Sequence, residues 1–350
     1  MTSRIRVIVV DDSVVVRRLV TEVLSDDPDI QVVGTAGNGR LALAKLEQTP
    51  ADLITLDVEM PELDGLQTLA EVRKKYPRLP VIMFSTLTTR AADATISALT
   101  LGANDYATKP EGTGGLATAR ERIKSDLIPK IKTLCARQIT APLPVLRHAR
   151  ELGPAVNAVA IGVSTGGPPA LQTLLSTLPV LPVPVFIVQH MPPMFTAMLA
   201  TRLSASSKHK VVEATPGLAI EPGHIYLAPG DHHMVVERGV IRTNQDAPEC
   251  SCRPSVDVLF RSVAATYGAN VLGVVLTGMG NDGQRGSELI RDRGGSVIAQ
   301  DQATSVVWGM PGAVVRAGIA TTVVPIDGMA DEIVRRVRGV TGAARVIRGG

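Results

Sequence analysis

The chain has 350 residues, 45% of them hydrophobic and 20% charged, with a net charge of +3 at pH 7. That length is more than one typical core holds and predicts about two domains of roughly 100–200 residues. The weak charge argues against a dedicated nucleic-acid protein, and no apolar run approaches the ~20 residues that a membrane span needs.

The three cysteines, Cys135, Cys250 and Cys252, lack framework spacing. Free thiols, together with an N-terminus that runs into a strand-like segment without a charged leader, predict a cytoplasmic protein. Cys250-Ser251-Cys252 has no second ligand pair at zinc spacing. Aromatics make up only 3%, so the cores must be built from Val, Leu, Ile and Ala.

Residues 1–122 alternate strand patterns (6–10, 32–36, 53–56, 81–84, 105–107) with helix patterns (14–25, 38–48, 65–75, 90–101, 113–124). Such alternation predicts a five-stranded parallel sheet with helices on both faces, a flavodoxin-like α/β domain. Residues 123–154, rich in Lys, Arg and Pro, read as a linker, helical at its start and extended later. A second alternating region, 155–346, predicts a doubly wound, mainly parallel α/β domain. Its best strands are 156–162, 184–189, 271–276 and 296–299, with helices near 168–178, 194–206, 255–267, 283–293 and 328–338. Short β-like runs at 225–227, 234–237 and 240–242, with Arg238-Gly239 as a turn, predict a small antiparallel hairpin insert.

Ligands of open parallel sheets bind at the carboxyl ends of strands. In the first region Asp11 and Asp12 follow strand one, Asp57 ends strand three, Ser85 strand four and Lys109 strand five. Clustered carboxylates are costly unless a cation neutralises them, and hard oxygen ligands favour Mg²⁺. A single Asp at a strand end is more often a helix cap; five such groups at one edge point to a site.

These residues, with Met60-Pro61, Asp64-Gly65, Tyr106 and Lys109-Pro110, make residues 4–122 resemble the receiver domain of two-component response regulators. The resemblance implies that Asp57 accepts a phosphoryl group from a histidine kinase. It also implies that Asp11, Asp12 and Asp57 hold Mg²⁺, that Ser85 and Lys109 meet the phosphoryl oxygens, and that Tyr106 reports the switch. The Lys109-Pro110 bond is expected to be cis. Phosphorylation would add about 1.5 to 2 negative charges at this edge.

In the second region three strand ends carry chemistry. Ser164 lies in Gly162-Val163-Ser164-Thr165-Gly166, a strand–turn–helix serine shaped like a nucleophile elbow. His190 closes the strand 184–189, and Asp282 follows the strand 271–276 and the turn Gly278-Met279-Gly280-Asn281. A serine hydroxyl needs a base, His is the natural one, and an Asp behind it fixes the tautomer. Oxyanion donors could come from the amides at Gly166 and Gly167 or from the Gly278-Met279-Gly280 turn. His232 and His233 are rival bases, ranked as rim residues. A nucleotide site is the competing reading of the Gly-rich turn, although neither GxGxxG nor GxxxxGK[ST] occurs. The order Ser, His, Asp differs from that of ordinary α/β-hydrolases.

The segments 162–168, 188–191, 228–233, 253–257 and 276–283 resemble the catalytic domain of chemotaxis protein-glutamate methylesterases. That resemblance implies Ser164 as nucleophile, His190 as base and Asp282 as its orienting group, with Thr165 and Met279 close by. It implies chemoreceptors as substrate, demethylation of glutamyl γ-methyl esters, deamidation of certain glutamines, and no cofactor for the ester chemistry. Val163 and Cys252 depart from the usual pattern, and the second raises the question of whether a thiol lines the cleft. A non-catalytic response regulator with a docking domain is the rival from another class. A DNA-binding output would need a basic recognition helix instead.

Overall fold

The computed structural model describes residues 4–110, 115–136, 155–237 and 239–339. The chain divides into two compact units, Met1–Ala141 and Pro142–Gly350.

The first unit runs β1 (Ile5–Val10), α1 (Val14–Ser25), β2 (Ile30–Ala36), α2 (Gly39–Gln48), β3 (Leu53–Asp57), α3 (Gly65–Lys75), β4 (Val81–Ser85), α4 (Thr89–Thr100), β5 (Asp105–Thr108) and α5 (Gly115–Cys135). Its strands are parallel in the order β2-β1-β3-β4-β5. Both faces of a parallel sheet are covered, so β3 and β4 read as unbroken buried runs and not as alternating patterns. Helix starts follow local chemistry: Ser13 Oγ accepts from Val16 N, and Asp64 and Gln67 form a reciprocal capping box on α3. After β1 the chain adds β2 on one side and β3 on the other, so the carboxyl ends of β1 and β3 flank a topological switch point.

The helical start expected of the linker is present as the end of α5, and one expectation changes. Helix α5 continues beyond residue 122 to Cys135, through Pro129. Ile123, Leu127 and Ile131 recur at helical spacing and are buried, so core packing outweighs the Pro and Lys content that reads as linker. The cis peptide bond among the described residues is Arg253–Pro254, not Lys109–Pro110. The trans form is the default for X–Pro bonds, and from it Lys109 reaches both acidic partners described below. Residues 137–154, the later part of the expected linker, lie outside the described residues.

The second unit runs β6 (Ala158–Val163), α6 (Gly167–Thr177), β7 (Val185–Gln189), α7 (Phe195–Ser206), β8 (Lys210–Glu213), β9 (His224–Leu227), β10 (His233–Glu237), β11 (Val240–Asn244), α8 (Val256–Tyr267), β12 (Val271–Val275), α9 (Gln284–Asp292), β13 (Ser296–Gln300), α10 (Met310–Arg316), β14 (Thr322–Val324) and α11 (Ile326–Arg338). The seven-stranded sheet has the order β14-β13-β12-β6-β7-β9-β8, and its neighbouring strands pair in parallel. β10 and β11 form the expected antiparallel hairpin. β9, read from sequence as part of that insert, instead joins the main sheet between β7 and β8. The core is aliphatic, with Phe186 and Tyr226 stacked at 5.6 Å as its main aromatic pair. β6 stands between β7 and β12, which makes its carboxyl end the switch point of this sheet. Among the described residues no helix is long and apolar enough to cross a membrane.

Candidate functional site

At the switch point of the first sheet, Asp11 and Asp57 are 1% and 2% exposed, while Asp12 is exposed. Lys109 Nζ lies 2.8 Å from Asp11 Oδ2 and 2.7 Å from Asp57 Oδ2. The backbone holds the other oxygens: Ser13 N donates to Asp11 Oδ1 at 2.9 Å and Glu59 N to Asp57 Oδ1 at 3.3 Å. Burial pushes the Asp57 pKa up to about 6 even though Lys109 pulls it down, and burial raises Asp11 as well. Ser85 is buried, and its hydroxyl donates to the carbonyls of Thr86 and Ala91 at 3.2 and 3.3 Å. Tyr106 is buried; Lys130 Nζ stands 5.2 Å from its ring centre and donates to its carbonyl at 2.7 Å.

In the second sheet the register pairs Val163 with Gln189, so Ser164 and His190 are the next residues on neighbouring strands. His190 N donates to Val163 O, and Ser164 N donates to Thr277 O at 3.0 Å, tying the elbow to the end of β12. A Cβ on Gly278 would lie 2.8 Å from Ser164 Cβ, so glycine lets the Gly278–Gly280 turn close over the serine. That turn is held from behind: Gly278 bridges to Trp308, whose indole donates to Gln300 O at 3.0 Å. Thr165 is buried and its carbonyl accepts from Thr277 Oγ1 at 2.9 Å. Gly166 has φ +77°, the left-handed conformation that turns the chain into α6.

His190 Nε2 meets Asp282 Oδ2 at 2.8 Å. Asp282 is 2% exposed, yet four further donors surround it: Val256 N on Oδ2, and Ser255 Oγ, Asp257 N and Gly283 N on Oδ1, all at 2.8 to 3.0 Å. The first amides of α8 therefore point at this carboxylate, which caps that helix from another part of the chain. Burial alone would raise the Asp282 pKa; His190 and those amides hold it below the usual carboxylate range. With Nε2 committed to Asp282, Nδ1 is the ring nitrogen left for proton exchange. Among the described residues no hydrogen bond joins Ser164 Oγ to the imidazole, and Nδ1 lies 3.5 Å from Cys252 Sγ. Catalytic hydrogen bonds are commonly long or misaligned before substrate binds.

Cys252 thus contacts the His190 imidazole directly, which answers the question its position raises in the sequence. It is placed by a two-residue turn in which Glu249 and Cys252 exchange backbone hydrogen bonds, and Cys250 and Ser251 have φ of 50° and 62°. The Cys250 sulfur faces elsewhere, 4.0 Å from Asp257 Oδ2. Burial disfavours the imidazolium, but the Asp282 carboxylate and the Cys252 sulfur outweigh it and push the His190 pKa up to about 9. As the proposed general base His190 must be neutral to act, so kcat/KM is expected to rise with pH and level off near that value. Cys252→Ala should move the rise to lower pH; superimposable profiles would remove Cys252 as a cause. The sign for stability is opposite. His190 binds its proton more tightly when folded, so its stabilising contribution is complete below pH 6.5 and fades as pH climbs through about 9.

The rival histidines have structural partners. His233 is buried, not at a rim: Ser255 N donates to its Nδ1 at 3.2 Å, and its Nε2 lies 3.1 Å from Ala247 O. His232 Nδ1 lies 3.2 Å from Gly230 O. Sequence reasoning missed the helix-capping role of Asp282 toward α8, and Gln189, which is buried behind the two strand ends. The apolar strand run masks Gln189, and the α8 amides lie more than twenty residues from Asp282 in sequence.

Residues 159–333 match the CheB methylesterase family, and residues 7–121 match the response regulator receiver domain. A protein-glutamate methylesterase/protein-glutamine glutaminase of Nocardioides sp. is 51% identical over 349 residues, covering 95% of each chain. The chain belongs to the CheB methylesterase family. Another family member, the protein of the same name from Trichodesmium erythraeum, is 50% identical and covers 95% of this chain and 99% of its own. The crystal structure of the Thermotoga maritima CheB methylesterase catalytic domain aligns with a TM-score of 0.50 at 38% identity, over 52% of this chain and 98% of that one. Membership makes the chain a hydrolase of the chemotaxis two-component system, with a receiver domain preceding the esterase. The receiver architecture implies Mg²⁺ for phosphorylation, a phosphodonor kinase and, through the esterase, a chemoreceptor substrate.

Proposed function

We propose that this chain hydrolyses glutamyl γ-methyl esters on the cytoplasmic helices of chemoreceptors, deamidates certain receptor glutamines, and is activated by phosphorylation of Asp57. The observation that carries the chemistry is the His190–Asp282 pair at 2.8 Å, at the strand end next to Ser164. Ser164 Oγ attacks the ester carbonyl while its proton passes to His190 Nδ1. Asp282, already surrounded by donors, remains an acceptor and stabilises the imidazolium through Nε2. The tetrahedral oxyanion takes hydrogen bonds from backbone amides of the elbow or of the Gly278–Gly280 turn that closes on Ser164. The C–O bond then breaks, the proton moves from Nδ1 to the leaving oxygen, and methanol departs. Water repeats the path on the acyl-serine, giving glutamate and restoring Ser164. A glutamine side chain follows the same route with ammonia as leaving group.

In the receiver, Asp11, Asp12 and Asp57 offer carboxylate oxygens within 4.8 Å of one another. Two of these groups are buried with pKa values raised by burial, which fits a hard divalent cation that Lys109 alone does not replace. These three residues would hold Mg²⁺, which supplies charge neutralisation for phosphoryl transfer to Asp57. Lys109 would pair with the phosphoryl group, and Ser85 would exchange its backbone partners for a phosphoryl oxygen. Because Mg²⁺ would bind the folded site, saturation at about 100 Kd should stabilise this unit by about 2.7 kcal/mol. Thermal melts in Mg²⁺ and in EDTA check this, and the shift should vanish in Asp12→Ala; identical melts for the parent protein would reject the site.

The reading as a whole is tested by methanol release from methylated receptor, with and without a small-molecule phosphodonor and Mg²⁺. Release that rises with phosphodonor, and does not rise in Asp57→Asn, is the expected result. Absence of release under every condition would reject the esterase reading.

A further inference from the structure

Gln189, the last residue of β7, is 2% exposed and lies directly behind the two reacting strand ends. Its Nε2 donates to the carbonyl of Ser164 at 3.1 Å and to the carbonyl of His190 at 3.2 Å. One amide nitrogen thus spans the nucleophile's backbone and the base's backbone. This orientation of the amide is fixed by its surroundings, because the opposite one would set its oxygen against two carbonyl oxygens. The amide oxygen gains nothing in return: Oε1 is buried without a hydrogen-bond partner. It rests on Gly167, where a Cβ would come within 1.8 Å of it, so the glycine at the start of α6 also leaves room for this side chain. A buried acceptor left unpaired is destabilising, and such groups in folded proteins call for an explanation. An apolar side chain of the same length would fill the space without that penalty.

We propose that Gln189 is a positioning residue for the hydrolysis, holding the Ser164 elbow and the His190 loop at the separation that proton transfer requires. The inference rests on the Ser164–His190–Asp282 reading of the site. Ser164 N is anchored to Thr277 O on its other side, so the elbow is pinned between β7 and β12. Without the Gln189 bonds, the pinning toward His190 falls to the strand ladder alone, which ends at His190 N. A misplacement near 1 Å between reacting groups typically costs about 100-fold in rate without altering substrate binding.

The test uses the full chain with methylated receptor, comparing Gln189→Met, which keeps length and loses both donors, with Gln189→Asn, which keeps the amide on a shorter arm. The expected result is a fall in kcat of about 100-fold for Gln189→Met and a smaller fall for Gln189→Asn, with KM within twofold and a melting temperature no lower than the parent's. Labelling of Ser164 by a fluorophosphonate should slow in the same order. A kcat within threefold of the parent in Gln189→Met would overturn the proposal; if that variant does not fold, a parental kcat in Gln189→Asn overturns it instead. Loss of rate that follows loss of melting temperature, with KM rising alongside, would also overturn it in favour of a packing role. Ser164→Ala is run beside them: if it still releases methanol, the triad reading itself has failed, whereas an inactive Ser164→Ala beside an active Gln189→Met condemns the positioning role alone.

Discussion

Ser164→Ala is expected to lower methanol release by about 10⁶-fold, and adding His190→Ala to it should lower the rate little further. The non-additivity is the informative part. In the proposed reaction nucleophile and base act in one step, so removing either leaves only what backbone donors and substrate binding supply. The structure sets them on adjacent strands, with Val163 and Gln189 in register and His190 N bonded to Val163 O. Single-turnover measurements with methylated receptor, together with loss of fluorophosphonate labelling, check the result. If the double variant were far slower than either single one, the two side chains would be working in separate steps and the proton path through Nδ1 would be wrong.

Asp282→Asn should reduce kcat by about 10⁴-fold and lower the melting temperature by several degrees as well. The kinetic loss comes from tautomer control. An amide NH₂ placed toward His190 forces Nε2 to accept, moves the proton to Nδ1 and removes the base. The stability loss comes from α8. Asp282 Oδ1 receives the amides of Asp257 and Gly283, and Oδ2 receives that of Val256. Either orientation of the asparagine sets its NH₂ against a backbone N–H, and an unsatisfied buried donor costs about 1–3 kcal/mol. A variant with lost activity but an unchanged melting curve would show that α8 does not depend on this carboxylate.

The two α/β sheets were legible in the sequence because parallel strands buried on both faces leave long Val, Ile and Leu runs. The same logic placed Asp11, Asp57, Ser164 and His190 at strand ends and brought Asp282 to the edge where it meets the imidazole. What escaped the sequence has identifiable causes. β8 and β14 are four and three residues long, too short for periodicity to register, and β9, legible as a β-like run, takes its parallel direction and its sheet from tertiary pairing. The full length of α5 was hidden by Pro129 and by its charged face. The contact of Cys252 with His190 depends on two successive non-glycine residues at positive φ, which local propensity argues against. Gln189 was visible only as one polar residue ending an apolar strand. Its value as a bridge arises from two carbonyls that approach each other through the register of β6 and β7.

The bridge between Gly278 and Trp308 has a practical consequence, since the chain holds a single tryptophan. Its indole is bonded to Gln300 O and faced by the Arg316 guanidinium at 5.6 Å. Tryptophan emission from this protein therefore originates beside the turn that closes over Ser164, giving the proposed cleft an optical reporter that needs no added dye.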